Sequence, residues 1–152
     1  MGVHSAEQSA EIEAAPEACF EAAIDYETFP DWQRAVQEVE VLERDAAGRG
    51  EVVRFEIDAK VKRVSYTLRY HYEPPGRIWW EFVEGDGVAD VEGEYLIEPL
   101  DGGERTRVTY RLGIDPGIPV PGLLARRLNQ GVMRRSVTDL RDEVERRAAT
   151  GR

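Results

Sequence analysis

The sequence predicts an α+β domain in which one long C-terminal helix covers one face of a curved antiparallel β-sheet. Between residues 36 and 115, apolar and polar residues alternate along six successive segments, which are separated by turns rich in Gly, Pro and Asp. Alternation with a period of two indicates strands that bury one face, and six in succession indicate an antiparallel meander. From residue 123 to about 149, apolar residues recur at helical spacing. This segment predicts a helix of about 25 residues and roughly 38 Å, which is long enough to cross the sheet.

The residues before the meander complete the sheet and add two short helices. Residues 9–14 alternate weakly and predict a further strand at the edge, and Pro16 follows where the first turn of a helix accepts proline. Residues 25–32 predict a second short helix or turn. The sequence therefore predicts seven strands, with two short helices between strands 1 and 2. A chain of 152 residues is expected to form a single domain over 1–152, with its core at about 9–148.

The net charge of −10 is unevenly distributed along the chain. Residues 120–152 contain eight arginines and four acidic residues, so the rest of the chain is strongly acidic. An acidic surface argues against nucleic-acid binding, which depends on the neutralisation of phosphates. We interpret the arginines of the C-terminal helix as a solvated face. The alternative is a partner surface around Arg126, Arg127, Arg134 and Arg135.

Composition also limits location and chemistry. No apolar run approaches the roughly 18 residues of a membrane span, and the N-terminus lacks the basic and apolar regions of a secretory signal. We therefore expect a cytoplasmic protein without stable membrane insertion. The single cysteine, Cys19, lies on the apolar side of a predicted helix, and the two histidines, His4 and His71, are far apart in sequence. These residues fit neither a metal site nor a Cys–His nucleophile, so we predict no metal and no cofactor.

The alternation places large apolar and aromatic residues on the face of the sheet that the helix covers. The predicted ligand-lining positions are Phe55, Ile57, Tyr66, Leu68, Tyr70, Trp80, Phe82, Gly93, Tyr95, Tyr110 and Leu112 from the strands, with Leu124, Leu128 and Val132 from the helix. Tyrosine is unusual in a closed core because a buried hydroxyl without a partner costs about 1–3 kcal/mol. Four tyrosines on one face therefore favour a mainly apolar pocket with a few polar groups. The alternative is that their hydroxyls lie near strand ends and reach solvent.

Several short motifs are shared with a known family. They are Ile12-Glu13-Ala14-Ala15-Pro16 followed by Phe20, Asp25-Tyr26, Phe29-Pro30-Asp31-Trp32, and Pro74-Pro75 before Arg77-Ile78-Trp79-Trp80. With the long terminal helix, they resemble the START-like (SRPBCC) superfamily of helix-grip proteins, in particular its bacterial polyketide cyclase/dehydrase branch, which is related to the coenzyme-Q-binding proteins. The resemblance implies a cavity between sheet and helix that takes a small hydrophobic molecule, such as a lipid, an isoprenoid or quinone, or a polyketide-like compound.

Three functions remain open at this point. The first is a binding or carrier protein for such a hydrophobic ligand. The second is an enzyme of the polyketide cyclase or dehydratase type, which needs an acid and a base inside the pocket. The third is an interaction module that resembles the ribosome-association toxins and uses the arginine-rich helix. The alternation points the charged strand residues outwards, namely Arg69, His71, Arg107 and Arg111. This weighs against catalysis, because the pocket then lacks an acid and a base. A β-bulge that inverts a strand would bring such a residue inside.

Four further expectations concern single residues or short segments. Asp25 and Asp31 are expected to cap the short helices, and Trp32 to anchor them to the sheet. The segment 116–122 would be either a lid, closed by Ile118 and Val120, or a plain connection. Replacing Gly93 by Leu is expected to block the pocket and leave the fold intact.

An outward-facing apolar patch adds a further possibility for assembly. By the alternation, Trp79 and Val83 lie on the solvent side of the sheet. Exposed apolar patches often mark interaction sites, so this one would allow two chains to pair as a homodimer.

Overall fold

The chain forms one seven-stranded sheet with its long helix on one face, as the sequence predicts. The structure is a computed structural model that describes residues 4–58, 63–117 and 122–150, with side chains in these ranges except those of residues 4, 5 and 122–129. The strands are β1 His4–Ile12, β2 Val36–Arg44, β3 Gly50–Asp58, β4 Arg63–Glu73, β5 Arg77–Asp86, β6 Asp90–Leu100 and β7 Arg105–Asp115. The helices are α1 Pro16–Ala23, α2 Phe29–Trp32 and α3 Gly122–Ala149, with short 3-10 turns at Tyr26–Thr28 and Asp101–Gly103.

The order of the strands places the first and the last strand side by side. They lie in the order β1-β7-β6-β5-β4-β3-β2, and each is antiparallel to its neighbours. The first and last strands in sequence therefore pair, and β1 and β2 form the two edges. We call the face of the sheet that α3 covers the inner face, and the opposite one the outer face. This arrangement confirms the predicted helix-grip fold, including the short helices between β1 and β2.

Helix α3 is held against one side of the sheet. Its backbone comes closest to β1, and it also packs on α1 and β7. Its side chains Met133, Val137, Leu140 and Val144 are buried, and their spacing of three and four residues makes one stripe. Met133, Leu140 and Val144 belong to the same hydrophobic core as Ile12 of β1. The predicted apolar stripe of the C-terminal helix is thus confirmed over its described part.

Ion pairs fix the α1–α2 segment to the C-terminal half of α3. Arg147 donates to the carboxylate of Asp25 at 3.1 Å, and Asp139 accepts from the backbone N–H of Arg34 at 3.0 Å and from its guanidinium at 2.8 Å. The expectation that Asp25 and Asp31 cap the short helices is wrong. Asp25 makes no capping hydrogen bond and binds Arg147, while Asp31 lies inside α2 and not at its N-cap.

Trp32 closes the short helical segment on itself. Its indole N–H donates to the Thr28 hydroxyl at 2.9 Å, and its ring meets that of Phe29 edge-on at 5.1 Å. Both contacts lie within the helical segment, so the anchoring of the short helices to the sheet by Trp32 stays a prediction.

The sheet is interrupted between β5 and β6. These strands pair only from Arg77 opposite Leu96 to Trp80 opposite Gly93. Beyond this point, the rest of β5 pairs with β4 alone and the start of β6 pairs with β7 alone. The β4–β5 register also shifts so that Val83 is an extra residue, and a β-bulge of this kind bends its strand. We call the unpaired stretch between residues 81–86 and 90–92 the β5–β6 gap.

Gly93 lies at the inner end of this gap, where there is no space for a side chain. A Cβ atom there would lie 2.7 Å from Cζ2 of Trp80 and closer still to the carbonyl oxygen of Arg111. The expectation that leucine at this position leaves the fold intact is therefore wrong. Gly93 is required because the Trp80 ring and the neighbouring strand occupy the volume of its missing side chain.

We predict that Gly93→Ala lowers the free energy of unfolding by about 1–3 kcal/mol, because even one methyl group forces Trp80 or β7 to move. Gly131→Ala in α3 is the matched control. No heavy atom lies within 4 Å of a Cβ placed at Gly131, so alanine should stabilise the helix by up to about 1 kcal/mol. Urea unfolding followed by circular dichroism measures both variants. Equal stability of Gly93→Ala and the parent protein would contradict the steric argument.

Candidate ligand-binding site

The space between the sheet and the helices is lined by a continuous group of aromatic rings. Tyr95 and Tyr110 stack with ring centroids 4.6 Å apart, and the indole of Trp80 contacts both at 5.7 and 5.8 Å. Trp80 also contacts Tyr70 at 5.5 Å, and Tyr70 lies 4.7 Å from Tyr26 on the turn after α1. The inner face is therefore apolar in its bulk but carries many phenolic hydroxyls.

The strand residues that the alternation assigned to the pocket do share the inner face, because they lie opposite one another in the sheet. Six are buried: Phe55, Leu68, Tyr70, Trp80, Tyr95 and Leu112. Five keep part of their surface accessible: Ile57, Tyr66, Phe82, Gly93 and Tyr110. Val132 of α3 is also partly accessible, whereas the side chains of Leu124 and Leu128 and the lid residues Ile118 and Val120 lie outside the described part. The role of these residues as ligand contacts stays a prediction.

Two of the tyrosines are bonded to each other. The hydroxyl of Tyr26 lies 2.7 Å from that of Tyr72, and Tyr72 donates to the carbonyl oxygen of Gly50. Burial raises the pKa of Tyr72 to about 12, and that of Tyr26 well above its usual value. Because both hydroxyls have partners, this pair fastens the turn after α1 to β3 and β4 and needs no ligand.

Three other tyrosines have hydroxyls without a partner. No side-chain hydrogen bond is made by Tyr66, Tyr70 or Tyr110 to any residue that the structure describes. Burial raises the pKa of each, while Tyr66 and Tyr110 keep accessible surface. The three hydroxyls thus lie on the inner face and are not fully enclosed by the described part of the chain. The indole N–H of Trp80, buried and likewise unpartnered, lies beside them.

Sequence reasoning missed two polar residues that approach this space. Gln33, at the end of α2, is buried and forms a hydrogen bond with Tyr95. Burial raises the pKa of Tyr95, and this hydrogen bond reduces the rise. Asp139 of α3 is buried near Tyr95, where its charge adds to that rise. The helical spacing from Val132 places Asp139 beside the apolar stripe, which was a usable signal. Gln33 follows a short helix, and no pattern in the sequence distinguishes it.

Charged strand residues pair on the outer face, which confirms their predicted outward direction. His71 lies 3.3 Å from Glu81, and Arg69 lies 3.4 Å from Glu51. Arg111 binds Glu94 at 2.9 Å. Burial by itself would raise the pKa of Glu94, but the hydrogen bonds from Arg77 and Arg111 outweigh it, so the pKa of Glu94 is lowered. Among the described inner-face strand positions, none carries a charge.

The remaining candidates for chemistry are structural. Cys19 is fully buried, and burial raises the pKa of its thiol to about 11, so it stays protonated at neutral pH. Across the described ranges, no three His, Cys, Asp or Glu side chains are grouped so that they could hold a metal ion.

No described helix is long and apolar enough to cross a membrane.

Comparison with solved structures agrees with this architecture. A START superfamily protein from Mycobacterium smegmatis superimposes with a TM-score of 0.87 at 22% identity, covering 94% of this chain and 98% of that one. The ZhuI aromatase/cyclase from Streptomyces sp. R1128 gives 0.80 at 23% identity over 98% of both chains. TTHA0849 from Thermus thermophilus gives 0.78 at 27% identity, covering 98% of this chain and 100% of that one.

Fold and lining together define a START-like helix-grip protein. Residues 3–145 match the family model described as polyketide cyclase/dehydrase and lipid transport, and the chain belongs to that family. The resemblance seen in the sequence motifs is thereby confirmed. No curated protein matches the chain.

The buried tyrosines predict a loss of stability at high pH. A tyrosine in the unfolded chain has a pKa near 10, whereas all six tyrosines have raised values in the folded protein. Above about pH 10 the unfolded chain therefore binds fewer protons than the folded one, and the free energy of unfolding falls as the pH rises. Absorbance at 295 nm and circular dichroism should show tyrosine ionisation together with unfolding. Reversible ionisation near pH 10 in the folded protein would contradict the burial.

Proposed function

We propose that this protein binds a small, uncharged hydrophobic molecule that carries oxygen atoms, in the space between the inner face and α3. The observation that carries the proposal is the set of unpartnered polar groups on an otherwise aromatic surface. These are the hydroxyls of Tyr66, Tyr70 and Tyr110 and the indole N–H of Trp80. A pocket of apolar walls with a few convergent polar groups is typical of small-molecule sites.

The free-energy balance favours occupancy. The indole N–H of Trp80 is buried without a partner among the described residues, which costs about 1–3 kcal/mol unless a ligand supplies an acceptor. Carbonyl, ether or phenol oxygens of a ligand would accept hydrogen bonds from this N–H and from the three tyrosine hydroxyls. The stacked rings of Tyr95 and Tyr110, with Trp80 beside them, offer flat surfaces that suit a planar ring system.

The charges of the site argue for a neutral ligand. A buried carboxylate or ammonium needs an opposite charge, and the described inner-face strand residues include none. The nearest buried charge, Asp139, is already bound to Arg34. We therefore expect the protein to prefer a phenol or a ketone to a fatty acid of the same size.

Catalysis is the second candidate, and it has one observation in its favour. The ZhuI aromatase/cyclase shares the fold over 98% of both chains, and the family description includes cyclases and dehydrases. Ring closure and dehydration require groups that move protons near neutral pH. The inner-face tyrosines, whose pKa values are raised, are poor bases there, so we place binding or transport of the ligand first.

Two arginines near the end of α3 are paired within the chain. Arg146 and Arg147 both bind Glu143 in their own helix, each at 2.7 Å, and Arg147 also binds Asp25. The predicted partner surface lies elsewhere on the helix: the side chains of Arg126 and Arg127 lie outside the described part, while Arg134 is exposed and Arg135 is half-buried. An interaction module that uses these four arginines stays a prediction.

The direct test is to purify the protein without detergent, measure its native mass, and extract it with organic solvent. We expect a stoichiometric neutral compound with rings or isoprenoid chains. Protein stripped of this compound should bind 2-naphthol more tightly than 2-naphthoate, measured by displacement of the fluorescent probe N-phenyl-1-naphthylamine. Failure of the stripped protein to bind the probe would contradict the proposal. Conversion of the extracted compound on incubation with fresh protein would instead favour the enzyme.

The same substitution at two positions separates binding from folding. Tyr110→Phe removes an unpartnered hydroxyl, so we expect unchanged stability and a loss of about threefold to tenfold in affinity for 2-naphthol, but not for naphthalene. Tyr72→Phe removes a bonded hydroxyl, so it should lower the free energy of unfolding by about 1–3 kcal/mol and keep the preference for naphthol. Competition binding and urea unfolding measure these quantities. The proposal would be contradicted if Tyr110→Phe lowered the stability and Tyr72→Phe lowered the affinity for 2-naphthol.

A further inference from the structure

The β5–β6 gap opens into a groove on the outer face of the sheet. The groove has a volume of about 620 Å³, within the range of small-molecule sites, and is lined by residues 6–7, 77, 79–81, 92–94 and 111–113. Trp79 and Glu81 reach it from the outer face, whereas Trp80, Gly93 and Leu112 belong to the inner face. Trp80 thus lines the groove and also contacts the tyrosine rings of the inner face. Glu81 and Glu92, which also line the groove, lie where the pairing of β5 with β6 ends.

Backbone geometry and charge both keep the gap open. The bulge at Val83 bends β5 away from the line that would continue its pairing with β6. Outer-face acidic residues follow both sides of the gap: Glu81, Glu84 and Asp86 on β5, with Asp90 and Glu92 on β6. Like charges on facing strands destabilise their pairing, so closure of the ladder is disfavoured.

The ring of Trp80 closes the inner end of the gap. It fills the place of the side chain that Gly93 lacks, since Cζ2 lies 2.7 Å from the position of a Cβ atom there. Its indole N–H has no partner among the described residues, and its other contacts are with the rings of Tyr70, Tyr95 and Tyr110. No hydrogen bond therefore fixes its rotamer.

The described C-terminal half of α3 is another boundary of the inner space, and ion pairs and buried side chains hold it in place. Lifting the C-terminal half of α3 from the sheet would break the ion pairs of Arg34 with Asp139 and of Arg147 with Asp25. It would also expose Met133 and Leu140, which are fully buried. Rotation of the Trp80 ring would break its contacts with the rings of Tyr70, Tyr95 and Tyr110, but no hydrogen bond to a described residue.

We propose that the β5–β6 gap is the entrance through which the hydrophobic ligand reaches the inner face, and that Trp80 is its gate. The inference rests on the proposed function, because it assigns a route to the ligand of that same site. A ligand leaves and enters by one path, so an obstructed gap slows association and dissociation by the same factor. The equilibrium dissociation constant then stays the same.

The test is a cross-link over the gap, in the double variant Glu81→Cys/Glu92→Cys. The native Cys19 is buried and does not compete for oxidation. Stopped-flow fluorescence with N-phenyl-1-naphthylamine measures both rate constants for the oxidised and the reduced protein. We expect both to fall at least about tenfold on oxidation, to recover on reduction, and to leave the dissociation constant within about twofold.

The control is Glu98→Cys/Arg107→Cys, which faces the same side of the sheet where β6 and β7 pair without interruption. Its cross-link should leave both rate constants unchanged. If the cysteines of the test variant lie too far apart to form a disulfide, Glu92→Cys carrying a bulky maleimide supplies the obstruction, with labelled Glu98→Cys as its control. Unchanged rates in the obstructed protein, with binding intact, would overturn the entrance alone. Absence of probe binding by the unmodified protein would overturn the proposed function.

Discussion

One long helix has to cover a sheet that is much wider than itself, and this mismatch determines the rest of the molecule. Seven strands at about 4.8 Å span roughly 30 Å, whereas a helix with its side chains is only about 10–12 Å across. Helix α3 packs on β1 and β7, so β3, β4 and β5 need another cover for their inner face. Large aromatic side chains from these strands and from the α1–α2 segment supply part of it. The remaining volume is where we place the ligand.

The division of polarity between the two faces follows from the same mismatch. Outer-face charges compensate each other across neighbouring strands, as in the row from Glu7 through Arg111 and Glu94 to Arg77, with distances of 2.8 to 3.0 Å. Exposed pairs of this kind contribute little to stability, but they leave few charges unpaired along the sheet. The inner face keeps tyrosine hydroxyls and the Trp80 indole N–H as polar groups and is thus chemically distinct from the charged outer face.

The sequence predicted the elements and faces because alternation and helical spacing are local. The positions of Phe55, Tyr70 and Tyr110 on the inner face followed directly from a period of two. The interruption between β5 and β6 could not be predicted from local patterns. It depends on which neighbouring strand each of the two pairs with, and on one extra residue in β5, Val83. Gly93 was misjudged for the same reason: its neighbour across the ladder, Trp80, fills its space. Gln33 approaches the site through tertiary packing, which leaves no periodic signal, whereas the helical spacing of Asp139 from Val132 did indicate its position.

The unpartnered hydroxyls of Tyr66, Tyr70 and Tyr110 have a consequence for how such a protein can diversify. Folding does not use these three groups, since they bond to nothing in the described part of the chain, whereas Tyr26 and Tyr72 hold two segments together. Mutation can therefore change the three unpartnered tyrosines with little loss of stability, whereas changes at Tyr26 and Tyr72 would weaken the fold. Descendants of one ancestral sequence can in this way acquire different chemical preferences and keep the same architecture.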